Sequence, residues 1–221
     1  MYVDGRRTDL ERWKVIVEQE QVALTLYGSR QQDIEREVRA GRPVYLTVHP
    51  NDTETLGALA NEFRLVRVGE LWRVLNLPPR APATSQKMRA KFADQSGHEL
   101  ELLEYAVYPV TALGAGDFGL LTLFWRAPAS VNRRLTISLR VIDAQDRVVY
   151  QRDSEPASGL RPVIGWAPGE IVQDDLGFFV PPPSAPGVYR FEIVVYDPAS
   201  GGEWQVAGQA AYRLEAEIVV K

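Results

Sequence analysis

Three pairs of carboxylates, Asp143 with Asp146, Asp153 with Glu155 and Asp174 with Asp175, are the residues whose types and spacing could do chemistry. Two carboxyl groups held several ångströms apart across a sugar can run glycoside hydrolysis, but spacing along a chain does not set that separation. Each pair also has a plainer reading. Asp143-Ala144-Gln145-Asp146 lies between two apolar runs, where Asp suits a hairpin turn. Asp174 and Asp175 fall inside a strand pattern, with at least one of them expected to face solvent. Asp153 and Glu155 carry the hydrolase alternative, and Asp153 is also a ligand-binding candidate.

Aromatic residues offer a second chemistry, the stacking of sugar rings on exposed indole faces. Trp166, in Gly165-Trp166-Ala167-Pro168-Gly169-Glu170, and Trp204, after Gly201-Gly202, both fall in turn-like segments and are the sugar-stacking candidates. The competing reading is that such a tryptophan plugs the open end of a sandwich. Trp125 alternates with Leu121 and Leu123 and reads as core. Of the two histidines, His49 ends an apolar run before Pro50 and is a candidate on the ground that parallel strands place ligands at their ends. Neither His49 nor His98 stands at a metal-ligand spacing, and no G-x-S-x-G elbow or lysine-bearing phosphate loop is present. No residue set asks for a metal or a cofactor.

Charge and composition narrow the partners. The 221 residues carry 25 basic and 29 acidic side chains, a net charge of −4, which gives no long-range attraction for nucleic acid or anionic lipid. Cysteine is absent, so disulfides, thiolate metal sites and cysteine nucleophiles are excluded. Apolar residues make up 45% of the chain, ample for a buried core, yet no stretch approaches the roughly 20 apolar residues that cross a bilayer. The segment Met1 to Thr8 has no apolar run of the kind that opens a secretory signal.

The elements that must position these residues differ between the two halves. Up to residue 77 helical and strand patterns alternate. Helices are predicted over 9–20, over Gln31 to Ala40 with Ile34 and Val38 on one face and Gly41 as terminator, and from Asp52 or Thr53 to about Phe63. Strands are predicted over Val44 to Val48, Leu65 to Val68 and Leu71 to Leu75, the last two around Gly69-Glu70. That order suggests a small α/β unit with a parallel core, N-terminally incomplete. Residues 78–95 open with a Pro-rich run and are predicted to be a linker. Over 96–221, period-2 alternation predicts strands near 99–108, 119–126, 134–142, 147–151, 170–180, 187–196, 203–207 and 210–220. Strands at this density predict an antiparallel immunoglobulin-like or jelly-roll β-sandwich, and the whole fold class is then α+β.

An ordered string of motifs in the second half resembles a known family. Leu100-Glu-Leu-Leu-Glu-Tyr105, Leu121-x-Leu123-x-Trp125-Arg126, Asp143-Ala-Gln-Asp-Arg-Val-Val-Tyr-Gln151, Asp153-x-x-Pro156-x-x-Gly159, Trp166-x-Pro168-Gly169-Glu170, Asp174 and Pro186-Gly187-x-Tyr189 occur in that order. The string is similar to the C-terminal β-sandwich of bacterial multi-span membrane glycosyltransferases of the family-39, protein O-mannosyltransferase-like type. Arg42 to Leu46 and Leu65 to Val74 resemble the short α/β segment after the last membrane helix of such proteins. The pattern departs from the family where Gly159-Leu160-Arg161-Pro162-Val163 stands in place of Gly-x-Tyr-Pro-Thr, which puts any ligand surface marked by the missing Tyr and Thr in doubt.

The resemblance implies a soluble region on the extracytoplasmic face of the membrane. Its parent would be a polyprenyl-phosphate-sugar-dependent enzyme whose catalytic acids lie in loops between membrane helices, so no catalytic residue carries over to this chain. The expected function is a non-catalytic accessory domain that positions an acceptor glycan or glycosylated protein, partnered by the membrane-embedded part of the same polypeptide. The alternative is a free-standing carbohydrate-binding or adhesion module.

Overall fold

The computed structural model describes residues 31–41, 44–46, 61–68, 71–76, 86–108, 112–114 and 117–221. The helix expected over 9–20, most of the one ending near Phe63, and His49 lie outside them. The chain divides into two compact units, Met1–Arg80 and Ala81–Lys221. No helix among the described residues is long and apolar enough to cross a membrane.

In the first unit, helix α1 spans Gln31–Arg39, with Arg36 and Arg39 in its last turn, where cations suit the exposed carbonyls. Ile34 and Val38, one turn apart, bury against strands β1 (Val44–Leu46), β2 (Arg64–Val68) and β3 (Leu71–Leu75) to form a small core with Phe63, Trp72 and Val74. Gly41, at φ 75°, follows the helix in the left-handed conformation that ends it at no steric cost.

The expected parallel core is not what forms. The sheet order is β1-β3-β2, and both pairings are antiparallel. Two residues join β2 to β3, enough for a hairpin and far too few for a parallel crossover. β3 is buried at four of its five positions, so it takes the centre of the sheet and separates β1 from β2.

The second unit is a β-sandwich of two antiparallel sheets. One sheet has the order β11-β4-β5-β6-β9 and the other β12-β10-β7-β8. The strands are β4 (Gln86–Ala93), β5 (Glu99–Tyr108), β6 (Phe118–Arg126), β7 (Thr136–Ile142), β8 (Val148–Ser154), β9 (Ile171–Phe179), β10 (Gly187–Tyr196), β11 (Gln205–Val206) and β12 (Ala211–Val220). All eight alternating runs read from the sequence are strands; β4 is an addition, lying within the stretch expected to be linker. Its pattern is weak because only Met88, Ala90 and Phe92 pack against the core, on the inner side of a sheet whose other face carries Arg89 and Lys91.

Alternate residues from both sheets fill the space between them. Phe92, Leu100, Leu102, Trp125, Leu176 and Phe178 from one meet Ile137, Leu139, Val141, Phe191, Ile193 and Leu214 from the other. On the outer face of the five-stranded sheet, Glu101 is 1% exposed and accepts hydrogen bonds from Arg89 at 2.8 Å and Arg126 Nε at 2.8 Å. Burial pushes its carboxyl up, but the two guanidiniums outweigh that and hold it below the usual range.

One close approach makes a prediction. Gly119 pairs with Phe178, and a Cβ at Gly119 would stand 2.2 Å from that ring, which is itself held edge-on to Phe191 at 4.9 Å. Gly119→Ala is therefore expected to lower stability by about 2 kcal/mol through overpacking, read as a lower denaturation midpoint at unchanged slope.

Candidate functional site

The outer face of the four-stranded sheet gathers hydrogen-bonding side chains into cross-strand rows. Inward residues Ile137, Leu139 and Val141 commit β7 to the core, so Thr136, Ser138 and Arg140 must face outward. The register aligns Ala211, Val194, Ser138 and Asp153 in one row across all four strands. The next row holds Arg213, Glu192, Arg140 and Gln151, and on the other side Tyr196 stands beside Thr136. The first row is floored by small residues and flanked by a tyrosine on one side and by charged and amide groups on the other.

Asp153 sits exposed at the rim on edge strand β8. Gln151 Nε2 donates to both of its oxygens at 3.2 Å, and the Tyr196 hydroxyl donates to Oδ2 at 3.4 Å. Partial burial and the Asp153 charge together raise the Tyr196 pKa, which keeps its hydroxyl a donor. Arg213 completes the second row with bonds to Glu192 at 2.9 Å and Asp146 at 3.0 Å. Two atoms of this face, Ser138 Oγ and Arg140 Nε, are buried and make no hydrogen bond among the described residues. Buried polar atoms without a partner are uncommon in folded proteins, and here two lie on adjacent rows of one face.

A second polar cluster lies between the sheets. Asp174 points inward from edge strand β9 and is fully buried. Its Oδ1 accepts from the Ala157 amide at 2.8 Å, while Oδ2 makes no hydrogen bond. The Trp125 indole N–H lies near enough to help hold charge on the carboxyl but makes no bond of good geometry. Burial pushes the Asp174 carboxyl up to about 7; the Asp175 charge adds to the rise, and the Ala157 amide and Arg152 oppose it. Asp175 faces the other way, accepting from Thr122 at 2.6 Å and Gln173 at 2.9 Å.

Of the sequence candidates among the described residues, only Asp153 falls on the outer face. Trp166 is 5% exposed and donates its indole N–H to the Arg161 carbonyl at 2.9 Å, and Trp204 is 1% exposed. Both belong to the sandwich core, so neither ring offers a face for a sugar, and the plugging reading replaces the stacking one. Glu155 is taken by Arg134 in a two-pronged ion pair. The Asp143 carboxylate caps the β7–β8 turn, accepting from the Gln145 and Arg147 amides at 2.9 Å each. His98 bonds Asp94 across the β4–β5 turn at 2.9 Å. Among the described residues no group of three or more His, Asp or Glu could hold a metal ion.

Sequence reasoning missed Ser138, Arg140, Gln151 and Tyr196 as site residues. Alternation with core positions placed each on an outer face, but only the register between strands shows that they share one.

No protein-family model matches this chain, and no curated protein matches it. Among solved structures, it is similar to the crystal structure of the C-terminal domain of Wzt, with a TM-score of 0.44 and 10% identity over 62% of this chain and 80% of that one. It is also similar to a Niemann-Pick type C2 protein from the Japanese carpenter ant, with a TM-score of 0.34 and 9% identity over 62% of this chain and 96% of that one. At these scores neither likeness bears on ligand or activity.

Proposed function

We propose that this chain is a non-catalytic binding module that holds a glycan, free or on a glycosylated protein, on the outer face of its four-stranded sheet. The observation that carries the reading is the pair of adjacent rows through Ser138 and Asp153 and through Arg140 and Gln151, where exposed groups stand beside two buried polar atoms that make no hydrogen bond among the described residues. Sugars present adjacent hydroxyls that donate and accept together. A carboxylate, a primary amide and a guanidinium, each with paired atoms in a plane, match them, and Tyr196 supplies a ring edge beside the polar rows. The face has the groups for binding.

The ordered motif string supports a finer reading, in which the sandwich and the preceding helix-bearing unit, joined at the Pro-rich stretch, are the extracytoplasmic accessory region of a membrane glycosyltransferase-like protein. There it would present an acceptor to the membrane-embedded part of the same polypeptide. A free-standing glycan-binding module uses the same face, and detection of the native protein by size in membrane fractions separates the two.

Binding of the full chain to a panel of immobilised neutral and amino-sugar oligosaccharides tests the face. Asp153→Ala removes a charged hydrogen-bonding partner, for which a loss of about 1.5–3 kcal/mol, or roughly ten-fold or more in Kd, is expected. Equal affinity in the native chain and Asp153→Ala, with folding unchanged, would move the ligand elsewhere.

A further inference from the structure

Three consecutive residues after β8, Ala157, Ser158 and Gly159, adopt left-handed backbone angles, with φ of 51°, 57° and 89°. Glycine takes this conformation freely; alanine and serine do so only where surrounding contacts impose it. Backbone bonds from Gly159 to the Glu155 carbonyl, Leu160 to Ala157 and Arg161 to Pro156 close the turn, and two side-chain contacts hold it to its surroundings. Asp174 Oδ1 accepts from the Ala157 amide at 2.8 Å, and the Arg152 guanidinium donates to Ser158 Oγ at 2.9 Å.

The segment lies where the sandwich has a seam. β8 and β9 are edge strands of opposite sheets, bridged by the Tyr150 hydroxyl donating to the Gly177 carbonyl at 3.2 Å and by the Tyr150 and Phe179 rings, 4.8 Å apart. The turn Pro156–Gly159 packs on β9 over Asp174, with Pro156 and Ser158 buried. An ion pair anchors each end, Arg134 with Glu155 and Arg161 with Glu170.

We propose that residues 155–161 form a pH-gated clasp over the seam between β8 and β9, shut while Asp174 carries its proton and released as that proton passes to solvent. Shut, the carboxyl has one amide donor, one oxygen without a partner and an indole beside it. A neutral acid is tolerable there; a carboxylate is desolvated with too few donors, and opening lets water reach it. The charged groups that act on Asp174 are Asp175 on its own strand, which points to the opposite face but opposes ionisation, and Arg152 on β8, which favours it. Glu155 and Arg161 of the clasp are engaged with their own partners. The raised pKa of about 7 places the change near neutrality. The sign follows from linkage: the shut form binds the proton more tightly than the open form, so opening is rare below about pH 4 and grows as pH rises to about 7.

Hydrogen–deuterium exchange of the full chain, corrected for the intrinsic pH dependence of amide exchange, reads the opening directly. The native chain is expected to show at least a ten-fold rise in opening of the 155–161 peptide between about pH 5 and about pH 8, with β5, β6 and β10 unchanged. Asp174→Asn, which keeps an acceptor for the Ala157 amide but cannot ionise, is expected to abolish the rise. Glu155→Gln weakens one anchor and leaves Asp174 alone, so it is expected to raise opening at every pH with the same slope. A flat native profile overturns the proposal, as does a rise shared by the whole sandwich, a rise undiminished in Asp174→Asn, or a slope lost in Glu155→Gln.

Discussion

Asp174→Asn is expected to be more stable than the native chain above about pH 7 and slightly less stable below about pH 4, so that the two stability curves cross. The Asp174 carboxyl titrates at about 7 in the folded chain and near 3.9 in an unfolded one. Between those values the folded state holds the extra proton, so native stability falls as pH rises through the window, and the loss is complete above about 7. A shift of that size corresponds to at most a loss on the order of 4 kcal/mol, reduced wherever local opening lets water reach the carboxylate. The Asn variant carries no charge to bury. Its amide nitrogen takes the place of the partnerless oxygen and costs about 1 kcal/mol at low pH.

The acid limb of the curve has other owners. Hydrogen bonds hold the carboxyls of Glu101, Asp143 and Glu170 below their ordinary range, so the stability they give is present near neutrality and lost as pH falls through their folded-state values. That limb should be the same in native and Asp174→Asn chains. Urea titrations at a series of pH values measure both limbs, and a decline between about pH 4 and about pH 7 that is equal in the two chains would contradict the assignment to Asp174.

Trp204→Ala is expected to cost about 3–5 kcal/mol, a large share of the stability of a domain this size. The indole is 1% exposed within the sandwich core, and its backbone amide ties it to the Val195 carbonyl on β10 at 2.8 Å. Removing the ring leaves a void that the two sheets cannot close without shifting toward each other and disturbing the packing around it. The same variant separates the two readings of the loop tryptophans. If Trp204 stacked on a sugar, its loss would abolish binding and spare stability; as a core residue, it lowers the denaturation midpoint sharply while the fraction still folded keeps its affinity. Binding lost at an unchanged midpoint would contradict the packing account.

Alternation made most of the sandwich legible, because strands such as β9 and β10 alternate buried residues with less buried polar ones over part of their length. β4 escaped because charged Arg89 and Lys91 are interleaved with its few inward residues, directly after a proline-rich run. The first unit was misread at the level of pairing: a strand, helix, strand order suggests parallel neighbours, and the β2–β3 hairpin placed β3 between the strands expected to adjoin. The site was legible only at Asp153. Trp166 and Trp204 stand in turns by sequence, yet a side chain on a turn can still point into the open end of a sandwich, as these do. Of Asp174 and Asp175 at least one was expected to face outward; Asp175 takes that position, so the strand alternation itself drives Asp174 into the core.

The most direct test of the central claim is chemical-shift mapping of the isotope-labelled full chain during titration with an oligosaccharide that the immobilised panel retains. The account predicts that the perturbed amides and side chains cluster on Ser138, Arg140, Gln151, Asp153 and Tyr196 of the four-stranded sheet. Perturbations confined to the first unit or to the outer face of the five-stranded sheet, with these residues unmoved, would contradict it.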